Sequence, residues 1–106
     1  RIVVLFGAGG ASDTLTRVVG EKLQAYFSQS FPVENKTGAG GNIGMINVMN
    51  SPPDGYAIAS ATIGTLSINQ FLYANVGYDP AKDFAGVSFV ADSPFGLGVP
   101  VNSKTV

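Results

Sequence analysis

The chain is 106 residues long, 45% hydrophobic and only 12% charged, with six basic side chains against seven acidic ones. That length allows one domain with a modest core, and a balanced charge with no basic run argues against nucleic acid or an anionic membrane surface as partner. Cysteine and histidine are both absent, which removes thiol nucleophiles, disulfides, Cys/His metal sites and histidine-based triads, so a self-contained enzyme is not expected. The carboxylates are scattered without calcium-loop spacing, so no metal site is expected either. No apolar stretch approaches the roughly 20 residues that span a bilayer.

Arg1–Phe6, "RIVVLF", is a β-branched apolar run that reads as a strand buried on both faces. Ser12 is placed to cap a following helix, with Asp13 in its first turn. Leu15, Val18, Val19, Tyr26 and Phe27 recur at helical spacing and predict its core-facing side. Phe31–Glu34 reads as a second strand and Ile43–Asn50 as a shorter helix, which Pro52 and Pro53 stop. Tyr56–Ala61 reads as a third strand. A loop at Thr62–Gly64 and a helix from Thr65 to Leu72 follow. "YDPAKDF" is turn chemistry begun by Asp79 and Pro80 and anchored by Phe84. Gly86–Ala91 and Leu97–Val101 are predicted as fourth and fifth strands. Phe6, Tyr56 and Phe71 are expected in the core. Alternating strands and helices predict an α/β fold on a mostly parallel sheet.

The tetrapeptide "GAGG" occurs twice, at Gly7–Gly10 and Gly38–Gly41, each time between a predicted strand and a predicted helix. In a parallel sheet such loops share one edge, where ligands bind. Helices starting there aim unpaired N–H groups and a positive dipole end at the crevice. Glycine lets a ligand approach the backbone without meeting a Cβ. A phosphate-cradling P-loop would need Gly-Lys-Ser/Thr, which neither loop carries. A dinucleotide fingerprint is closer, with Gly7–Ser12 as G-x-G-x-x-S and Glu34 ending the next strand. A third reading has the glycines as tight turns and caps without a ligand.

The successive stretches "FGAGGASD", "VENKTGAGGNIG", "PPDGYAI", "TIGTLSIN" and "YDPAKDFAGVSFVADSP" together resemble the Bug family of extracytoplasmic solute receptors, the binding components of tripartite tricarboxylate transporters. The likeness runs over essentially the whole chain. Leu5 departs from the pattern, since members often carry proline before the phenylalanine.

The resemblance implies a type II periplasmic binding fold, a Venus flytrap of two lobes closing on a small carboxylate: a dicarboxylate, an acidic amino acid or an aromatic acid. It implies no catalysis and no cofactor, transporter subunits as membrane partners, and a periplasmic location with any signal peptide absent from this numbering. Residues 1–106 correspond to the N-terminal part of the first domain, without the second domain or the strand that returns to the first sheet. Unpaired edges in such a fragment invite dimerisation or strand exchange. Carried over residue by residue, Ala8, Gly9, Gly10, Ala11, Ser12 and Asp13 resemble the main carboxylate-binding segment. Thr62, Gly64, Thr65 and Asn69 resemble the opposite side of the site, and Gly40, Gly41 and Asn42 a second glycine motif with an equally structural character. Asp13 suits a helix-start cap better than a ligand contact.

Overall fold

The computed structural model describes residues 1–94 and 96–104. Three short strands, β1 (Ile2–Val4), β2 (Val33–Asn35) and β3 (Ile58–Ser60), form a parallel sheet in the order β2-β1-β3. Val3 lies opposite Glu34 on one side and Ala59 on the other. The first strand is thus central, and its run Ile2–Leu5 is buried. Side chains alternate across it. Val3 and Leu5 join Met45 and Tyr78 in the core, flanked by Ile46, Val48, Ala59 and Phe84, while Ile2 faces the first helix near Gly20.

That helix, α1 (Ala11–Phe27), packs on β1 and β2. Its buried positions are Asp13, Thr16 and Gly20, and the predicted apolar stripe is not the core face. Leu15 and Val18 are 41% and 50% exposed, because at helical spacing they stand on the side away from the 13–16–20 row. Small residues win that row because the helix sits close to the sheet. A Cβ on Gly20 would lie 3.4 Å from Val33 Cγ2. Thr16 donates its hydroxyl to the Ser12 carbonyl at 2.6 Å and shares a 2.7 Å hydrogen bond with the Ser60 hydroxyl, tying α1 to β3. Ser28, in the left-handed region at φ 53°, ends the helix.

The second helix, α2 (Asn42–Met49), packs on β1 and β3. Its contact is closer still: a Cβ on Gly44 would lie 2.5 Å from Leu5 Cδ2 and 2.8 Å from the Lys36 carbonyl oxygen. After β3, a π-helical turn at Gly64–Ile68 leads straight into α3 (Asn69–Leu72). The predicted "YDPAKDF" turn is present. The Lys82 and Asp83 amides donate to the Asp79 carbonyl, and the Phe84 ring stands edge-on to Tyr78 at 5.8 Å.

Gly86–Ala91 and Leu97–Val101 are not strands. A strand exists through its ladder, and among the described residues neither free edge of the sheet receives these segments. Val87 and Phe89 are accordingly exposed, and the Ser103 amide instead closes a turn on the Pro100 carbonyl at 2.8 Å. Tyr56 and Phe71, expected in the core, are 80% and 83% exposed. Tyr56 follows the Asp54 turn before the sheet begins, and Phe71 lies on a four-residue helix too short to turn every apolar side chain inward.

Candidate functional site

All three strand-to-helix connections leave the same edge of the parallel sheet. The first connection, Phe6 to Gly10, is exposed throughout. Gly9 takes φ 84°, open to glycine at no steric cost. Gly10 occupies the cap position of α1 in extended geometry, with no side chain capping the helix. Ser12 therefore lies inside the first turn and does not cap it. The first helical bond runs from the Thr14 amide to the Gly10 carbonyl at 2.9 Å, so the amides of Ala11, Ser12 and Asp13 have no acceptor within the helix. Among the described residues the Ser12 hydroxyl makes no hydrogen bond either.

Asp13 is 3% exposed and fully engaged. Its carboxylate accepts from the Gly9 amide at 2.9 Å, the Arg17 guanidinium at 3.0 Å and the Asn35 amide at 2.9 Å. The Arg17 guanidinium above all, then the Gly9 and Asn35 donors, hold this carboxyl well below the usual carboxylate range, and Asp13 in turn raises Arg17. Asn35 also donates to the Phe6 carbonyl at 3.0 Å and accepts from Arg17 at 3.0 Å. The loop is thus fastened at both ends to β2 and α1. Arg17 and Asn35 were not legible as part of the site. Asn35 stands inside the "VENKTGAGG" signature, and that is the one sequence signal it gave.

The second connection runs through Gly38, Ala39, Gly40 and Gly41, all four at positive φ. The 2.7 Å from a Cβ on Gly41 to Thr65 Cγ2 leaves no room for a side chain there. Asn42 opens α2 and is buried. Its Oδ1 accepts from Asn69 Nδ2 at 2.7 Å, and the same Asn69 amide donates to the Gly40 carbonyl at 3.0 Å. Tyr78 seals the group: its hydroxyl donates to the Thr65 carbonyl at 2.7 Å and lies 3.1 Å from Asn42 Oδ1. Burial pushes the Tyr78 phenol up. Thr65 Oγ1 accepts from the Thr62 amide at 3.1 Å.

Two groups therefore emerge from the expected site residues. Gly40, Asn42, Thr65 and Asn69 are brought together by one another and by Tyr78, a residue of the "YDPAKDF" stretch to which the sequence assigns no role of its own. Ala8, Gly9, Gly10 and Ala11 are exposed and Ser12 half-buried; the Ala11 and Ser12 amides have no acceptor within the helix, while the Gly9 amide is held by Asp13 and the Gly10 amide by the Gly7 carbonyl. Thr62 and Gly64 border the first turn of the third connection, where the Thr62 hydroxyl makes no hydrogen bond among the described residues. Glu34, the residue a dinucleotide reading needs, accepts instead from Arg1 at 2.8 Å. Arg1 also reaches Asn47 and Ser51 near the end of α2, at the opposite edge of the sheet from Gly7–Ser12.

Residues 15–106 match the family described as the tripartite tricarboxylate transporter family receptor. The chain belongs to this receptor family. Its members are receptors and not enzymes, and the dinucleotide reading is not favoured. Among solved structures it is similar to the Rhodopseudomonas palustris protein Rpa4515 with adipate, at 39% identity and a TM-score of 0.73, over 76% of this chain and 27% of that one. It is also similar to MatC from the same organism with bound malate, at 31% identity and a TM-score of 0.80, over 84% and 30%. The periplasmic binding protein BugD aligns at 38% identity and a TM-score of 0.70, over 78% and 27%. These likenesses bear out the Bug-type resemblance and the periplasmic binding fold. The chain spans between 24% and 31% of the length of the curated relatives it matches. No helix among the described residues is long and apolar enough to cross a membrane.

Proposed function

We propose that this tripartite transporter receptor segment forms part of one lobe of a periplasmic solute-binding protein, and that its first glycine loop grips a small carboxylate. The observation that carries the reading is the start of α1, which no side chain caps and which offers the Ala11 and Ser12 amides with a positive dipole end behind them. A carboxylate there would take the place of a missing cap. Such a helix terminus contributes about 0.3–1 kcal/mol, and up to about 2 when partly buried. The Ser12 and Thr62 hydroxyls are suited to add neutral donors. Gly40, Gly41, Asn42, Gly64, Thr65 and Asn69 make the rigid second wall, held by their own hydrogen bonds. The adipate and malate bound to the two Rhodopseudomonas relatives support a dicarboxylate as the first class to try. Closure of a second lobe over the loop and delivery to membrane subunits complete the proposed cycle. Strand exchange between copies through the free edge of β3 belongs to this reading for the segment expressed alone.

The test is thermal unfolding and calorimetric titration of the full receptor with adipate, malate, glutamate, benzoate and NAD. Stabilisation by one or more carboxylates, and none by NAD, is the expected result, since a ligand at 100 times its Kd adds about 2.7 kcal/mol. A receptor that none of the carboxylates stabilises overturns the reading.

A further inference from the structure

The anion-facing loop has few internal contacts of its own. Gly7 and Gly9 have nothing within 4 Å of where a side chain would begin, and the one backbone bond inside the loop, Gly10 amide to Gly7 carbonyl, is long at 3.4 Å. A loop of this composition samples many conformations unless something outside it decides. Asn35, on the neighbouring strand, is placed to decide. Its amide group donates to the Phe6 carbonyl where the loop begins and to Asp13 Oδ1, whose other oxygen holds the Gly9 amide. Its carbonyl accepts from Arg17, which is paired with the same Asp13.

We infer that Asn35 is a positioning residue for ligand capture: it braces the Phe6–Asp13 loop so that the Ala11 and Ser12 amides face the ligand before it arrives. The inference rests on the carboxylate-gripping reading above. It predicts which groups Asn35 must present, namely two N–H donors. Aspartate has the same shape and presents none. The charged groups facing position 35 are Asp13 and Arg17 from α1, and from the β1 side it meets the Phe6 carbonyl. Glu34 is turned to Arg1, and Lys36 is exposed. A carboxylate at position 35 would still accept from Arg17, but it would repel the Phe6 carbonyl and Asp13 and present neither of the two donors.

The experiment titrates adipate and malate into the full receptor and its Asn35→Asp and Asn35→Ala variants at pH 8, with amide exchange of the unliganded proteins and circular dichroism to verify folding. If the braced conformation falls to one tenth of the population, the apparent Kd rises about tenfold. Both variants should show a loss of about that size at pH 8. In both variants the Gly9 amide should lose protection from exchange while the helical amides of α1 from Thr14 onward keep theirs, which general destabilisation would not produce. Wild-type affinity in both variants overturns the inference, whereas a wild-type receptor that binds neither acid overturns the functional reading instead. Amide exchange in the unliganded wild-type receptor supplies a measurement without mutation. The Gly9 amide should be protected relative to Ala8 and Ala11, and equal exchange at all three overturns the brace.

Discussion

Replacing Ala11 by proline removes a single candidate ligand donor and almost nothing else. Ala11 is the first residue of α1, and the helical ladder begins only with the Thr14 amide, so no helical hydrogen bond is lost. Proline is favoured at this first position. It also restricts the residue before it to extended geometry, and Gly10 already has φ −74° and ψ 169°. The fold should therefore keep its stability or gain a few tenths of a kcal/mol from a stiffer unfolded chain. Binding should suffer, because a hydrogen bond to a charged group contributes about 1.5–3 kcal/mol, equivalent to roughly 10- to 100-fold in Kd. Calorimetric titration of adipate or malate into the full receptor reads the affinity, and a thermal melt without ligand reads the stability. A variant that melts like wild type and binds both acids with unchanged Kd would refute the claim that the start of α1 grips the ligand.

Gly44→Ala should destabilise the protein by roughly 1–3 kcal/mol in a urea titration, since Leu5 is fully buried and the Lys36 carbonyl is backbone, so neither neighbour yields easily. Gly20→Ala, with only ordinary contacts from 3.4 Å outward, should be neutral or stabilising by up to about 1 kcal/mol. Equal effects of the two would refute the difference in packing. Tyr78→Phe leaves the Thr65 carbonyl without its hydroxyl donor and should cost about 1–3 kcal/mol in the same titration; no change would mean that the network does not hold the two loops. The Asp13 carboxyl is held low by Arg17, Gly9 and Asn35, so its contribution is complete above the unfolded value of about 3.9 and is lost as pH falls through the lower native one. Melting temperatures between pH 7 and pH 2 should drop less steeply below pH 4 in Asp13→Asn than in wild type, from a lower starting value. Parallel profiles would remove Asp13 from the account.

The architecture was largely legible because β-branched runs, glycine loops and proline stops punctuate the first 60 residues unambiguously. Each of the first three of the five predicted strands contains the observed one or overlaps it, and α2 begins one residue before its predicted start. The core face of α1 was misread because amphipathic spacing reports which positions are apolar, not how close the helix must come to its sheet. Close approach chose Thr16 and Gly20 over Leu15 and Val18. The runs Gly86–Ala91 and Leu97–Val101 have strand composition, but composition reflects fitness for a pleated surface and not the presence of a partner. Within the candidate site, the glycines and the helix start were visible from their spacing. Asn35, Arg17 and Tyr78 were not, because what matters about them is where long-range folding sets one polar atom against another.

The sheet order places the first strand of this sequence in the middle, with one neighbour about 30 residues away and the other nearly 60. Neither ladder can close by local zippering, and the second waits until Ser60 has been made. At roughly 5–20 residues per second during synthesis, that delay is on the order of 3–12 s. For that interval the apolar run Ile2–Leu5 travels with its β3 side unpaired, an extended segment of the kind that holding chaperones recognise. The same topology that buries this strand most deeply in the finished protein makes it the segment longest in need of protection before the protein is finished.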